Sequence, residues 1–211
     1  MRTKNEKLLW HEWNPGLDND HLTLGHVLST MPSIEASDVP LWIRIIENPA
    51  SPVAFPGAIT LANHDAVHVV LGRGLMTQDE AFVIGYTMGA DRALRDWHGQ
   101  AFAWISHRLY RPPYRFSAGD LVSFRLGLWE GRIQPCKNIN KVDFSALHGN
   151  SMRDLRARLG VCRNRLYSVY AYEKSLLPDT KASRRLDIDM DKLDPSALMS
   201  PVTDMKAVHE G

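Results

Sequence analysis

The stretch GAITLANHDAVHVVLG, residues 57–72, limits the fold more than any other part of the chain. It reads as one helix closed by Gly72, with Ala, Ile, Leu or Val at almost every position that is not a polar ligand type. A helix that is apolar around its whole circumference belongs at the centre of a fold, covered by others. The rest of the chain supplies candidates. HLTLGHVLSTMPSI is a short helical pattern ended by Pro32, and SDVPLWIRIIENPASPVAFPG has helical spacing through Leu41, Ile43, Ile45 and Ile46 before a proline-rich break. TQDEAFVIGYTMGADRALRDWHGQAFAWISHRLY is a long helical stretch expected to bend or break near Gly89 or Gly99. DLVSFRLGLWEGRIQ and the amphipathic SMRDLRARLGV follow. No segment sustains period-two alternation, so the predicted fold is all-α. It occupies residues 1–174 as a single domain, and residues 175–211, with charges and prolines but few large apolar side chains, form a loosely packed or disordered tail.

Composition narrows the function classes. A chain of 211 residues buries roughly 70% of its unfolded surface and needs no disulfide staple. Cys136 and Cys162 form no zinc-ribbon or Cys-x-x-Cys spacing, which points to a reducing compartment. With 25 basic and 24 acidic residues the net charge is +1, which gives nucleic acid no electrostatic footing. No run approaches the roughly 20 apolar residues of a membrane span. The start, MRTKNEKLLWHEW, lacks a signal-peptide apolar core. These features describe a soluble, cytoplasmic protein with a membrane surface still open to it as a partner.

The apolar helix carries three polar residues in one arc. With His64 at 0°, His68 falls at about 40° and Asp65 at about 100° on a helical wheel. Buried polar groups without partners cost roughly 1–3 kcal/mol each, so three together call for a shared partner. A divalent metal ion would satisfy them, since imidazoles at i and i+4 suit such a cation and a carboxylate completes the charge. A plainer account gives each its own task. A buried histidine is often hydrogen-bonded to backbone, Asp65 could orient a histidine from outside the ligand set, and Thr77-x-x-Glu80 is a capping-box signature.

His64-Asp65-x-x-His68, then eleven residues, then Glu80, resembles the motif of the Coq-four family of ubiquinone-biosynthesis proteins. GLWEGRIQPCKNINKVDFSALHGNSMRDLRARLGV is similar to that family's carboxy-terminal pattern, and the likeness spans roughly residues 20–165. Two departures mark a divergent, bacterial-type member: GRGLMTQ stands where the family has a Gly-x-Pro-Thr turn, and Asp79 stands where a glycine usually precedes the glutamate. The resemblance implies an all-α fold with an apolar lipid cavity and a metal held by His64, Asp65, His68 and Glu80. Zinc is the first choice of metal; iron, cobalt, manganese and magnesium also fit. It implies peripheral attachment to a membrane, a polyprenyl lipid or prenylated quinone precursor as ligand, other quinone-biosynthesis enzymes as partners and a homodimer. The activity implied is organising such precursors or removing the ring carboxyl.

SHRLYRPPYRF interleaves Arg108, Arg111 and Arg115 with aromatics, a pattern suited to an anionic lipid head group, although basic residues also complement a helix end. Gly85 and Gly89, four apart, suggest close helix packing, and Trp97, Trp104 and Trp129 read as core. Two other classes remain. In an HD-type phosphohydrolase, His64-Asp65 would be the central doublet, with His26 and Asp143 in the outer roles. In a non-catalytic lipid-binding scaffold, four protein ligands would close a structural metal site.

Overall fold

The computed structural model describes residues 9–32, 55–110, 112, 115–134, 136, 138–186 and 188. The helical spacing expected through Leu41, Ile43, Ile45 and Ile46 lies outside them, as does Arg111. The described chain is all-α, with eight α-helices: α1 Leu24–Ser29, α2 Leu61–Leu71, α3 Thr77–Ala90, α4 Asp96–Arg108, α5 Ala118–Ile133, α6 Met152–Leu159, α7 Arg163–Leu176 and α8 Lys181–Arg185. Two 3-10 turns, Ile139–Lys141 and Ser145–Leu147, join α5 to α6. Extended pairing among the described residues is limited to an isolated bridge between Thr23 and Ser151.

α2 is the expected central helix. His64 and every residue from Ala66 to Leu71 are buried, while Ala62 at its start reaches the surface. Gly72 stops it in the left-handed region (φ 69°). The Arg73 N–H then donates to His68 O and the Gly72 N–H to Val69 O, the paired bonds of a Schellman motif. Arg156 donates to Val69 O and Val70 O, and the Tyr170 hydroxyl to Leu71 O, so α6 and α7 satisfy the remaining carbonyls of that end.

α3 is buried at every position from Gln78 to Ala90. It lies parallel to α5 in backbone contact. A Cβ placed on Gly85 would sit 2.1 Å from Phe124 O, one on Gly89 2.2 Å from Leu128 O, one on Gly127 2.1 Å from Phe82 O, and one on Gly131 2.2 Å from Tyr86 O. Each helix thus offers two glycines four apart to the other's backbone, so the close packing expected from Gly85 and Gly89 is present. α3 also divides the core. Phe82, Val83, Tyr86 and Ala90 join the cluster around α2, while Ala81, Ile84 and Met88 pack with Phe102, Phe116 and Phe124.

The long helical stretch breaks at Asp91, two residues past Gly89, within the expected region. Asp91 accepts hydrogen bonds from the Gly57 and Ala93 N–H groups, turning the chain before α4. Trp97 and Trp104 are each 58% exposed, contrary to the core reading. They lie seven residues apart on α4, opposite its buried stripe of Gly99, Phe102 and Ser106. Order extends beyond the expected boundary at residue 174: α7 runs to Leu176, and Ala182, Ser183 and Leu186 of the α8 region are buried. Residues 187 and 189–211 of the expected tail lie outside the described set.

Candidate metal centre

His64 and His68 stand one turn apart on α2, and Glu80 lies in the first turn of α3. Residues 72–76 reverse the chain so that this turn faces the two imidazoles. His64, His68 and Glu80 are 4%, 0% and 8% exposed. Each offers a ligand atom, and the three atoms lie within 4.8 Å of one another. Glu80 Oε2 is 3.2 Å from His68 Nε2 and 3.4 Å from His64 Nε2. Ligands about 2.1 Å from a tetrahedral ion are themselves about 3.4 Å apart, so both distances to Glu80 match the spacing a small divalent cation needs.

The groups around the three fix their orientation. His68 Nδ1 lies 2.7 Å from Gly74 O. A carbonyl only accepts, so the proton is on Nδ1 and Nε2 is left facing Glu80. Glu80 is not the helix cap. α3 begins at Thr77 with Met76 as N-cap, which makes Asp79 the third helical residue, and Asp79 Oδ2 accepts from the Met76 N–H at 3.1 Å. That frees the Glu80 carboxylate for the histidines. Asp65 is half-buried and stands outside the group of three, although its charge reaches His68.

The three ionisable groups act on each other strongly. Burial pushes the His64 imidazole down to about 4, against the pull of Glu80 and with a further push from His68. Burial opposes a charge on His68 too, yet Glu80 outweighs it, with Asp65 and Asp79 assisting, and holds that pKa above its ordinary value. Burial likewise favours a protonated Glu80, but His68 and His64 together hold the carboxyl below the usual range. Without metal, burial favours a neutral His64, while His68 and Glu80 each favour the other's charged form and titrate as a unit.

Behind the ligands lies a buried polar network that the sequence reading passed over. Arg73, fully buried, donates to both carboxylate oxygens of Glu173 at 2.7 and 2.9 Å and places Nε 3.2 Å from Asp79 Oδ1. Gln78 and Ser123 also donate to Glu173. The available signal was GRG, where an arginine interrupts the link between two apolar helices; it reads as a turn and nothing more.

The other predicted residues fall elsewhere. Arg108 and Arg115 are exposed, near the end of α4 and on the segment before α5, and Arg115 donates to His107 O. His26 and Asp143, the outer ligands of the phosphohydrolase reading, are exposed and absent from the buried group, and Asp143 is engaged by Ser145. Neither Cys136 nor Cys162 is in a disulfide. An apolar pocket bounded by Phe55, Ile84, Met88, Phe102 and Tyr110 holds about 20 Å³, space for a water molecule and not for a prenyl tail. A larger, open cleft of about 500 Å³ runs beside the first turn of α3, between Trp10, His11, Met76–Gln78, Ser117, Asp120 and Thr180–Ala182. No described helix is long and apolar enough to cross a membrane. No protein-family model, curated protein or solved structure matches the chain.

Proposed function

We propose that the protein is a metal-binding, prenyl-lipid-handling protein of the ubiquinone-biosynthesis type, with His64, His68 and Glu80 as the protein ligands. The observation that carries the reading is the convergence of two imidazole nitrogens and one carboxylate oxygen in a buried site. Three protein ligands, unlike four, leave a coordination position for substrate or water. A divalent ion with one carboxylate ligand keeps a net positive charge, which supplies a Lewis acid suited to an anionic group such as a ring carboxyl. Loss of that carboxyl as CO2, with a proton taking its place on the ring, balances without an oxidant. His68, oriented by Gly74, and Glu80, freed from capping by Asp79, hold the ligand geometry for this.

Support for a lipid surface comes from α4. Residues 92–115 include five arginines against the single acid Asp96, which Arg132 pairs at 2.8 Å. Exposed Trp97, Trp104 and Leu109 lie among them. Aromatic and arginine side chains together suit the interfacial zone of an anionic bilayer. A second reading, a lipid-organising scaffold with a structural metal, is favoured by how little of the three ligands reaches solvent.

Metal content of untagged protein, measured by plasma mass spectrometry, tests the site. Near-stoichiometric metal in wild type, lost in both His64→Ala and Glu80→Ala, is the expected result. Wild type that folds but takes up no metal on reconstitution would remove the basis of the proposal. Turnover of a prenylated hydroxybenzoate by the metal-loaded protein separates the two readings: CO2 release marks the enzyme, and copurified lipid without release marks the scaffold.

A further inference from the structure

The Arg185 guanidinium, at the end of α8, reaches a point where two parts of the metal centre meet. Its NH1 donates to His11 O at 3.1 Å and Trp13 O at 2.9 Å, and its NH2 to Asp79 Oδ2 at 2.5 Å. The Asn14 amide in turn donates to Arg185 O at 3.0 Å. The guanidinium also lies against Gly74: a Cβ there would be 2.9 Å from both NH1 and NH2 and 2.6 Å from Trp13 O. Gly74 supplies the carbonyl that accepts from His68 Nδ1, and Asp79 is the cap residue immediately before Glu80. One side chain therefore touches the residue that orients a histidine ligand and the residue that anchors the carboxylate ligand's helix turn.

We propose that Arg185 is a positioning residue for the metal centre, setting the Gly74 carbonyl and the Asp79 carboxylate in the arrangement that presents His68 Nε2 and Glu80 to one ion. This rests on the metal-site reading above. Groups that orient metal ligands from behind carry a known signature: their loss weakens metal affinity by about 10–100-fold. Arg185 acts on both ligands from a segment more than a hundred residues away in sequence. Its guanidinium is needed as a fork, because the acceptors at His11, Trp13 and Asp79 are spread around it.

The test compares Arg185→Ala and Arg185→Lys with Arg165→Ala. Arg165 is a matched control: its side chain is 23% exposed against 19% for Arg185, and it also pairs with a buried acid, Glu130. Zinc affinity by chelator competition and the visible absorption of cobalt-loaded protein are read on all of them. Arg185→Ala is expected to raise the zinc Kd by about 10–100-fold and to alter the cobalt spectrum. Arg185→Lys, which keeps a charge for Asp79 without the fork, falls between, and Arg165→Ala stays within about twofold of wild type. A folded Arg185→Ala with wild-type Kd and cobalt spectrum overturns the proposal; if Arg185→Ala does not fold, the same reading is taken from Arg185→Lys. A second readout needs no metal. In metal-free protein labelled at histidine nitrogens, the His68 Nδ1–H resonance is expected to be hydrogen-bonded in wild type and weakened or shifted in the Arg185 variants. Wild type that binds no zinc defeats the metal reading alone; an unchanged His68 resonance in the variants defeats this one.

Discussion

His64 and His68 are chemically alike and one turn apart, yet the fold drives them toward opposite protonation states. His64 is depressed to about 4 by burial first, whereas Glu80 lifts His68 above its ordinary value. A histidine kept neutral on folding contributes stability that is complete above pH 6.5 and fades as the pH falls toward its folded value. His68 has the reverse sign, contributing fully below its unfolded value and losing that contribution as pH rises through the folded one. Glu80, held low, contributes above the usual carboxylate range and loses it on acidification. In metal-free protein, His64→Gln should therefore gain stability relative to wild type by about 2 kcal/mol between pH 7 and pH 5. Urea midpoints at the two pH values measure this, and a pH-independent difference would show that His64 is not buried in its neutral form. His68→Gln should change in the opposite direction.

At the scale of helices, the α3–α5 pair sets what can be altered without moving the site. Its four glycines stand where backbone meets backbone, so an added methyl has nowhere to go except by parting the helices. Gly127→Ala, whose Cβ would meet Phe82 O two residues from Glu80, should cost about 3 kcal/mol, the upper end for overpacking, because main chain cannot rotate aside. Gly149→Ala is the contrast, with open space around the added carbon, and should leave the thermal midpoint nearly unchanged. Equal effects of the two would mean that α3 and α5 are not in backbone contact. The same logic accounts for Trp97 and Trp104. Helical spacing identifies α4, but the stripe it buries is set by Leu128, which fills the space over Gly99.

Across the whole molecule, buried cations join distant parts of the chain. Arg73 and Glu173 are a hundred residues apart, and Arg156 links the end of α2 to Asp20 near the amino-terminal segment. A buried ion pair adds little over an apolar replacement of both partners, but removing one partner strands the other's charge. Glu173→Ala should accordingly destabilise by about 3–5 kcal/mol, measured by urea unfolding, since Arg73 would keep only Asp79 as its acid. A loss below about 1 kcal/mol would show that Arg73 finds water or another carboxylate when Glu173 is gone.

The features legible from the sequence alone are local. The placing of His64 and His68 on one face, the stop at Gly72, the all-α class and the small-residue spacing at Gly85 and Gly89 depend on geometry within a few residues. The structure decided everything that depends on how helices meet. Asp65 and Glu80 look equally able to complete the site in the sequence, and Glu80 carries a capping signature. A helix start one residue earlier than Thr77-x-x-Glu80 implies gave the cap to Asp79 and turned Glu80 toward the imidazoles. Gly74, Arg73 and Arg185 carry no motif, because their work lies in contacts with residues far away in the chain. Spacing records a helix's own period; which side chains share a site depends on packing between helices, and packing has no period to read.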